Sequence, residues 1–328
     1  MLKKILFLLI VPGICILSAC GKAEIKSVSG TGIYFDTVVS LTVYGTDDRS
    51  IIDELFGECR RYEKIFSTTD EESELYRINE SSEKVIGISK DMYNCIEEAL
   101  SYSRATNGAY DITVRPVSKL WDFRSGTNEV PDREKIGEAV KKVDYEKVKL
   151  KKAADGYFAE FSNTETEIEL GSAAKGYIGD RLIEFLKSKG FGSAVISLGG
   201  NVQCLGSKPT EEGEKTDFNV ALKDPFNPEG GIFEVVQVSD KAVVTSGIYE
   251  RCFEKDGKLY HHILDAKTGM PVDSEIVSVT VITGSGLKAD ILSTVCFITG
   301  YEGSKELLKD EKDVKVKFIY KDGSEKEI

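Results

Sequence analysis

Strand-like and helix-like stretches follow one another in this chain without strict strand–helix–strand alternation. That mixture favours an α+β fold over a doubly wound parallel sheet. Residues 33 to 44, IYFDTVVSLTVY, carry the β-branched and aromatic enrichment of a strand. Asp47 to Phe66 is amphipathic, with Ile51, Leu55, Cys59 and Tyr62 on one helical face. A second helix is predicted from an N-cap at Ser89 to Thr106, with Asn107-Gly108 as its stop. A short charged helix is expected over 132 to 142. Asp155-Gly156 and Asp256-Gly257 read as hairpin turns. EIEL leads into GSAAKG and a helix through Lys189. AVISLGGN is a buried strand running into a glycine turn, and strands are expected near 217 to 223, 232 to 238 and 277 to 283. Leu287 to Thr299 closes the pattern as a helix. There is no internal repeat.

The fold is not expected to include the N-terminus. Lys3 and Lys4 precede an almost wholly apolar run from Ile5 to Leu17, and Ser18-Ala19-Cys20 follows. The run is short of the roughly 20 residues of a membrane span. It reads as a signal peptide, with a lipobox-like end that would place lipid on Cys20. An ordinary signal peptide with an incidental cysteine is the alternative. Residues 1–19 are thus the expected signal, 20–32 a lipidated tether, and 33–328 a single domain. The expected location is outside the cytoplasm, anchored to the cell membrane. A net charge of −12 argues against nucleic acid as a partner. Cys59, Cys95, Cys204, Cys252 and Cys296 are scattered, with no CxxC, and five cannot all pair. They read as buried free thiols.

Six stretches carry candidate chemistry. LGSAAKGYIGD at 170 to 180 puts small residues and Lys175 at a strand-to-helix junction, where an anion is favoured. A tight turn with a surface lysine is the plainer reading. SLGGN at 197 to 201 is a glycine turn and weak by itself. Asp290 and Thr294 share a helix face and offer hard oxygens suited to Mg²⁺, unless they are an exposed acid and a capping or core hydroxyl. His261 and His262, the only two histidines, would face opposite ways on a strand. One of them could take a proton from a hydroxyl, although a structural imidazole is as natural. FSTTDEESELYRINE at 66 to 80 and TNGAYDITVRPVSKLWDF at 106 to 123 read as loop-to-helix entries, with Asp111 just past a turn.

Taken in order, FST, SEL, NGAYD with Trp121 and Phe123, LGSAAKGY with Asp180, LGGN, TSGIYER, YHHILDAKTGMP and ADILST resemble the ApbE family, the FAD:protein FMN transferases. The likeness runs from about Tyr34 to Gly300. It implies an ApbE-like, T-fold-related α+β architecture of mixed sheets and packed helices. It further implies FAD contacts at Thr69, Ala109, Tyr110, Asp111 and Lys175. Mg²⁺ ligands are implied at the Ser172 carbonyl, Asp290 and Thr294. His262 takes the family's His-Ile position and becomes the candidate catalytic base alongside Asp290, leaving His261 incidental. The implied reaction moves FMN from FAD to a Thr or Ser hydroxyl of an exported acceptor protein, releasing AMP. An FAD pyrophosphatase, or a lipoprotein that only binds flavin, are the alternatives. DAKTG stands where DPRTG is commoner, and Ser172-Ala173 where a Gly-Ile-like pair often stands.

Overall fold

The computed structural model describes residues 25 to 328; Cys20 and the expected signal segment lie outside them. One eight-stranded sheet organises the chain. Its strands, in both chain and sheet order, are Ser27–Tyr34, Thr37–Tyr44, Ala194–Leu198, Asn201–Leu205, Ala242–Gly247, Ile276–Thr283, Lys315–Tyr320 and Glu325–Glu327. Every neighbouring pair is antiparallel. The sheet is a meander, and everything else is an excursion between two neighbouring strands. The largest lies between Tyr44 and Ala194 and holds six helices and a three-stranded sheet. The expected α+β class is therefore what the chain adopts.

Three helices cover the sheet: Ser50–Phe66, Ala174–Ser188 and Gly286–Leu307. The first buries Ile51, Ile52, Leu55, Cys59, Tyr62 and Phe66, one stripe at helical spacing. It packs close to the first strand. A Cβ on Gly30 would come within 2.4 Å of Ile52, so glycine is required there. Helix Gly286–Leu307 is broken at Gly300, where φ is +68°, directly after the expected end at Thr299, and a second helical stretch continues to Leu307. Two smaller hairpins sit on the sheet: Phe218–Lys223 with Ile232–Val238, and Cys252–Lys255 with Lys258–His261.

Several expectations need correction. Residues 33 to 44 are two strands, split at Phe35-Asp36, where φ is +54° and +55°. Phenylalanine gives no local warning of such a turn. The Phe35 amide donates to Glu63 Oε1 at 2.8 Å, a contact from 28 residues away. The stretch 20–32 is not all tether, because a strand begins at Ser27. EIEL forms no strand, and the first helix starts at Ser50 rather than Asp47. The helix after Ser89 matches its expected cap, with the Ser89 hydroxyl accepting from the Met92 amide. The five cysteines are free, but Cys252 is exposed rather than buried.

Candidate active site

The excursions meet over one cavity of about 910 Å³. Thr69, Tyr110, Asp111, Ser172, Lys175, His262, Asp290 and Thr294 all line it. Segments more than 200 residues apart thus reach one wall. Ala109 does not join them. Its amide closes a turn onto the Thr106 carbonyl at 3.1 Å, behind the cavity.

Asp290 is the centre of the oxygen cluster. It is 5 % exposed, and burial raises its pKa, opposed by Lys175. Its Oδ2 accepts the Gly176 amide at 2.8 Å. Gly176 is the third residue of helix Ala174–Ser188, so its amide has no acceptor within the helix and takes the carboxylate instead. Ser172, just before that helix, lines the cavity. The anion at the start of helix Ala174–Ser188 is therefore a carboxylate of the protein itself. Thr294 lies one turn on from Asp290, its hydroxyl 3.2 Å from Ser246 Oγ. Ser246 also meets Ser293 Oγ at 2.8 Å, and Ser293 donates to the Asp290 carbonyl.

Among the described residues no three His, Cys, Asp or Glu side chains gather into a metal cluster. The Asp290 carboxylate, the Thr294 hydroxyl and the oxygens of Ser172 form a hard, mostly neutral oxygen set on the cavity wall. That set fits Mg²⁺, which is commonly held by one or two carboxylates and completed by substrate phosphate and water.

Two glycines of LGSAAKGYIGD, Gly176 and Gly179, serve packing rather than ligand approach, whereas Gly171 lines the cavity. A Cβ on Gly176 would lie 2.1 Å from the Gly286 carbonyl oxygen, and one on Gly179 would lie 2.1 Å from Gln203 Nε2. Helices Ala174–Ser188 and Gly286–Leu307 touch backbone to backbone there. Asp180 completes the joint by accepting from the Gly286 amide at 2.7 Å and the Leu287 amide at 3.0 Å. Burial raises its pKa too.

Tyr110 is buried, and its hydroxyl lies 2.9 Å from Ser172 Oγ. Asp111 reaches the wall with both carboxyl oxygens engaged. Oδ1 accepts from the Thr113 amide and hydroxyl, and Oδ2 accepts from the Tyr145 amide at 3.0 Å. It shapes the loop around it. Thr69 sits in a loop knotted by Ser67, whose hydroxyl accepts the Thr69 and Asp70 amides. Lys175 Nζ donates to the Gly171 carbonyl at 3.1 Å.

The strand expected to carry both histidines ends at His261, and His262 follows it in a bend; the two rings nonetheless have different surroundings. His261 packs edge-on to Phe297, and its Nε2 lies 3.2 Å from the Val272 carbonyl. His262 lines the cavity, and its Nδ1 has no partner among the described residues. Burial first, and Arg251 next, lower the His262 pKa to about 3; burial lowers that of His261 to about 4. Both imidazoles are neutral at physiological pH.

Sequence reasoning missed Ser246, Arg251 and Asn201. Arg251 lines the cavity, lowered by burial and by nearby Arg124. It stood in the quoted TSGIYER stretch but was given no role. The cavity wall carries six cationic side chains, Arg115, Lys119, Arg124, Lys175, Lys223 and Arg251, in a protein of net charge −12. The same wall carries the acids Asp36, Glu63, Asp111, Asp122, Glu169, Glu250 and Asp290, and Arg115, Lys119, Arg124 and Lys223 are ion-paired, which leaves Lys175 and Arg251 as the cations best placed to meet an anionic ligand. The Trp121 and DAKTG motifs explain one another. Trp121 Nε1 donates to the Gly269 carbonyl at 2.7 Å, and Gly269 has φ +68°.

The chain was compared with known proteins. The model of the ApbE family matches residues 35–318. The FAD:protein FMN transferase of Treponema pallidum is 29% identical over 322 residues, covering 94% of this chain and 89% of its relative. That of Klebsiella pneumoniae is 31% identical over 294 residues, covering 89% of each. The structure of the flavin transferase ApbE from Vibrio cholerae aligns with a TM-score of 0.81 at 25% identity, covering 93% of this chain and 97% of the other. The crystal structure of the ApbE protein of Thermotoga maritima gives 0.80 at 29%, covering 92% and 96%.

Proposed function

This chain belongs to the ApbE family, and on that premise we propose that it is an FAD:protein FMN transferase. The observation that carries the reading is that Asp290, Thr294 and Ser172 line one cavity together with Lys175 and Arg251. The cavity's about 910 Å³ lies within the range of small-molecule and cofactor sites.

The substrate is FAD, and the acceptor is a Thr or Ser hydroxyl of an exported protein. The hydroxyl oxygen forms a bond to the FMN-side phosphorus. The bond from that phosphorus to the bridging oxygen breaks, and AMP leaves with that oxygen. Asp290, Thr294 and the Ser172 carbonyl would hold Mg²⁺, which when bound supplies charge neutralisation at the diphosphate. Lys175 adds positive charge on the same side. His262 is neutral with a free ring nitrogen, so it can accept the hydroxyl proton. Its low basicity alone would make it a weak base, and an anionic diphosphate beside it would raise that basicity. Thr69, Ala109, Tyr110 and Asp111 belong to the FAD-binding side, the last three through the loop they build.

We place the protein at the outer face of the cell membrane, held by lipid on Cys20, which keeps it with exported acceptors. The test is direct. The soluble domain is incubated with FAD, Mg²⁺ and an exported flavoprotein candidate. A mass increase of one FMN on the acceptor, with one AMP released, supports the reading. FMN and AMP free in solution without acceptor labelling would favour a pyrophosphatase. Intact FAD would favour a binding protein.

A further inference from the structure

We propose that Asn201 is a diphosphate-binding residue of this cavity, its side-chain amide donating to a phosphate oxygen of FAD beside Asp290; this rests on the flavin reading above. The SLGGN turn supplies the first observation. Gly199 and Gly200 have φ of +60° and +89°, and a Cβ on Gly199 would lie 2.3 Å from Thr37 Oγ1. The turn is therefore pinned against the first hairpin. It returns the chain at Asn201, paired across the ladder with Leu198.

Asn201 opens an inner strand of the sheet, a position where asparagine is disfavoured and a β-branched residue usual. Its side chain is 2 % exposed, and neither Oδ1 nor Nδ2 completes a hydrogen bond of regular geometry among the described residues; the amide lies beside the Asp290 carboxylate and helps to stabilise its charged form. Buried amides are normally partnered. The next residue on the same face of the strand, Gln203, obeys that rule. Its Nε2 donates to the Gly176 carbonyl at 2.9 Å. Two amides thus share one face, one tied into the helix joint and one presented to the cavity wall.

The neighbours identify the ligand. Asp290 and Lys175 share this part of the cavity. Asp290 Oδ2 is already taken by the Gly176 amide. An NH₂ group carries two hydrogens; with one toward the Asp290 carboxylate the other is left for a ligand, and a diphosphate approaching Lys175 brings several anionic oxygens. A flavin without phosphates brings none to this place.

The test is calorimetric binding of FAD, riboflavin and inorganic pyrophosphate to the soluble domain, with Mg²⁺ and with EDTA. Wild type, Asn201→Leu and Asn201→Asp are compared. FAD and pyrophosphate should bind Asn201→Leu on the order of tenfold more weakly, and Asn201→Asp more weakly still, in EDTA as well as Mg²⁺. Riboflavin should bind all three alike. The melting temperature of Asn201→Leu should equal or exceed that of wild type, because an incompletely partnered buried amide is gone. A purely structural asparagine would show the opposite. FAD affinity within twofold of wild type in Asn201→Leu overturns the proposal. So does equal loss of FAD and riboflavin. Unchanged FAD affinity in EDTA with weakened Mg²⁺ binding also overturns it, assigning the amide to the cation. Wild type that binds neither FAD nor pyrophosphate overturns the flavin reading itself, and this proposal with it.

Discussion

Asp180 and Asp290 cap each other's helices. Asp180, on helix Ala174–Ser188, accepts the first amides of helix Gly286–Leu307. Asp290, on the latter, accepts the Gly176 amide at the start of the former. Between them the two backbones touch at Gly176 and Gly286. A carboxylate at a helix start contributes roughly 0.3–1 kcal/mol, and up to about 2 when partly buried. The same joint that aligns the helices presents Asp290 to the cavity.

The two acids are expected to fail differently. Asp180→Ala should lower unfolding stability by about 1–2 kcal/mol, seen as a lower denaturant midpoint. Asp290→Ala should abolish FMN transfer and the Mg²⁺-induced rise in melting temperature that binding to the native state produces. Near-wild-type activity in Asp290→Ala, or full activity in excess chelator, would remove Asp290 from the site.

His262→Asn should lower the transfer rate by roughly 10²–10⁴, the usual loss for a general base. His261→Asn should leave the rate nearly unchanged while lowering stability, because that ring packs on Phe297. Single-turnover rates on both variants decide it, and the reverse pattern would sink the assignment.

Acid should destabilise the fold through these two rings. Their folded pKa values, about 4 and about 3, lie below the ordinary 6.5. Between pH 6.5 and about 4 the unfolded chain takes up protons that the folded chain does not. The stability they contribute is complete above 6.5 and falls with pH across that window, by up to about 1.4 kcal/mol per unit for each ring. Asp111, Asp180 and Asp290, raised by burial, act with the opposite sign. Melting curves of wild type and His262→Asn from pH 4 to 7 should converge toward acid. Parallel curves would contradict a buried neutral His262.

AMP release from FAD should be slow alone and rise at least about tenfold with a matched threonine-bearing acceptor, about 1.4 kcal/mol of barrier. Orientation of a docked hydroxyl can supply far more than that. AMP and protein-bound FMN should be equal. AMP appearing equally fast without acceptor would favour hydrolysis.

Cys20→Ala should yield a protein without lipid mass that no longer partitions into detergent. Unchanged partitioning and lipid mass would reject the anchor.

Much of this was legible in the residues because it is local. Ser89 caps its helix as expected, and Asp256-Gly257 turns its hairpin. The Asp290 and Thr294 spacing placed both on one cavity-facing side. What escaped depends on distant contacts. The turn at Phe35-Asp36 is held by Glu63, and no local propensity encodes that. The strands Asn201–Leu205, Ala242–Gly247 and Lys315–Tyr320 are short stretches whose pairing follows from the meander. The glycines at 176 and 179 suggested a ligand, whereas they admit a second helix and Gln203. Asn201 gave a faint signal, a polar residue at the head of a strand.

Trp121 is the only tryptophan in the chain. It joins two distant segments at Gly269, stacked on Phe123 with ring centres 5.6 Å apart. Phe123 itself lines the cavity. The protein therefore carries a single indole, one ring away from the cavity in which flavin would bind. Indole emission overlaps flavin absorption, so occupancy can be followed as quenching in the unmodified protein, and loosening of the Gly269 contact as a red shift.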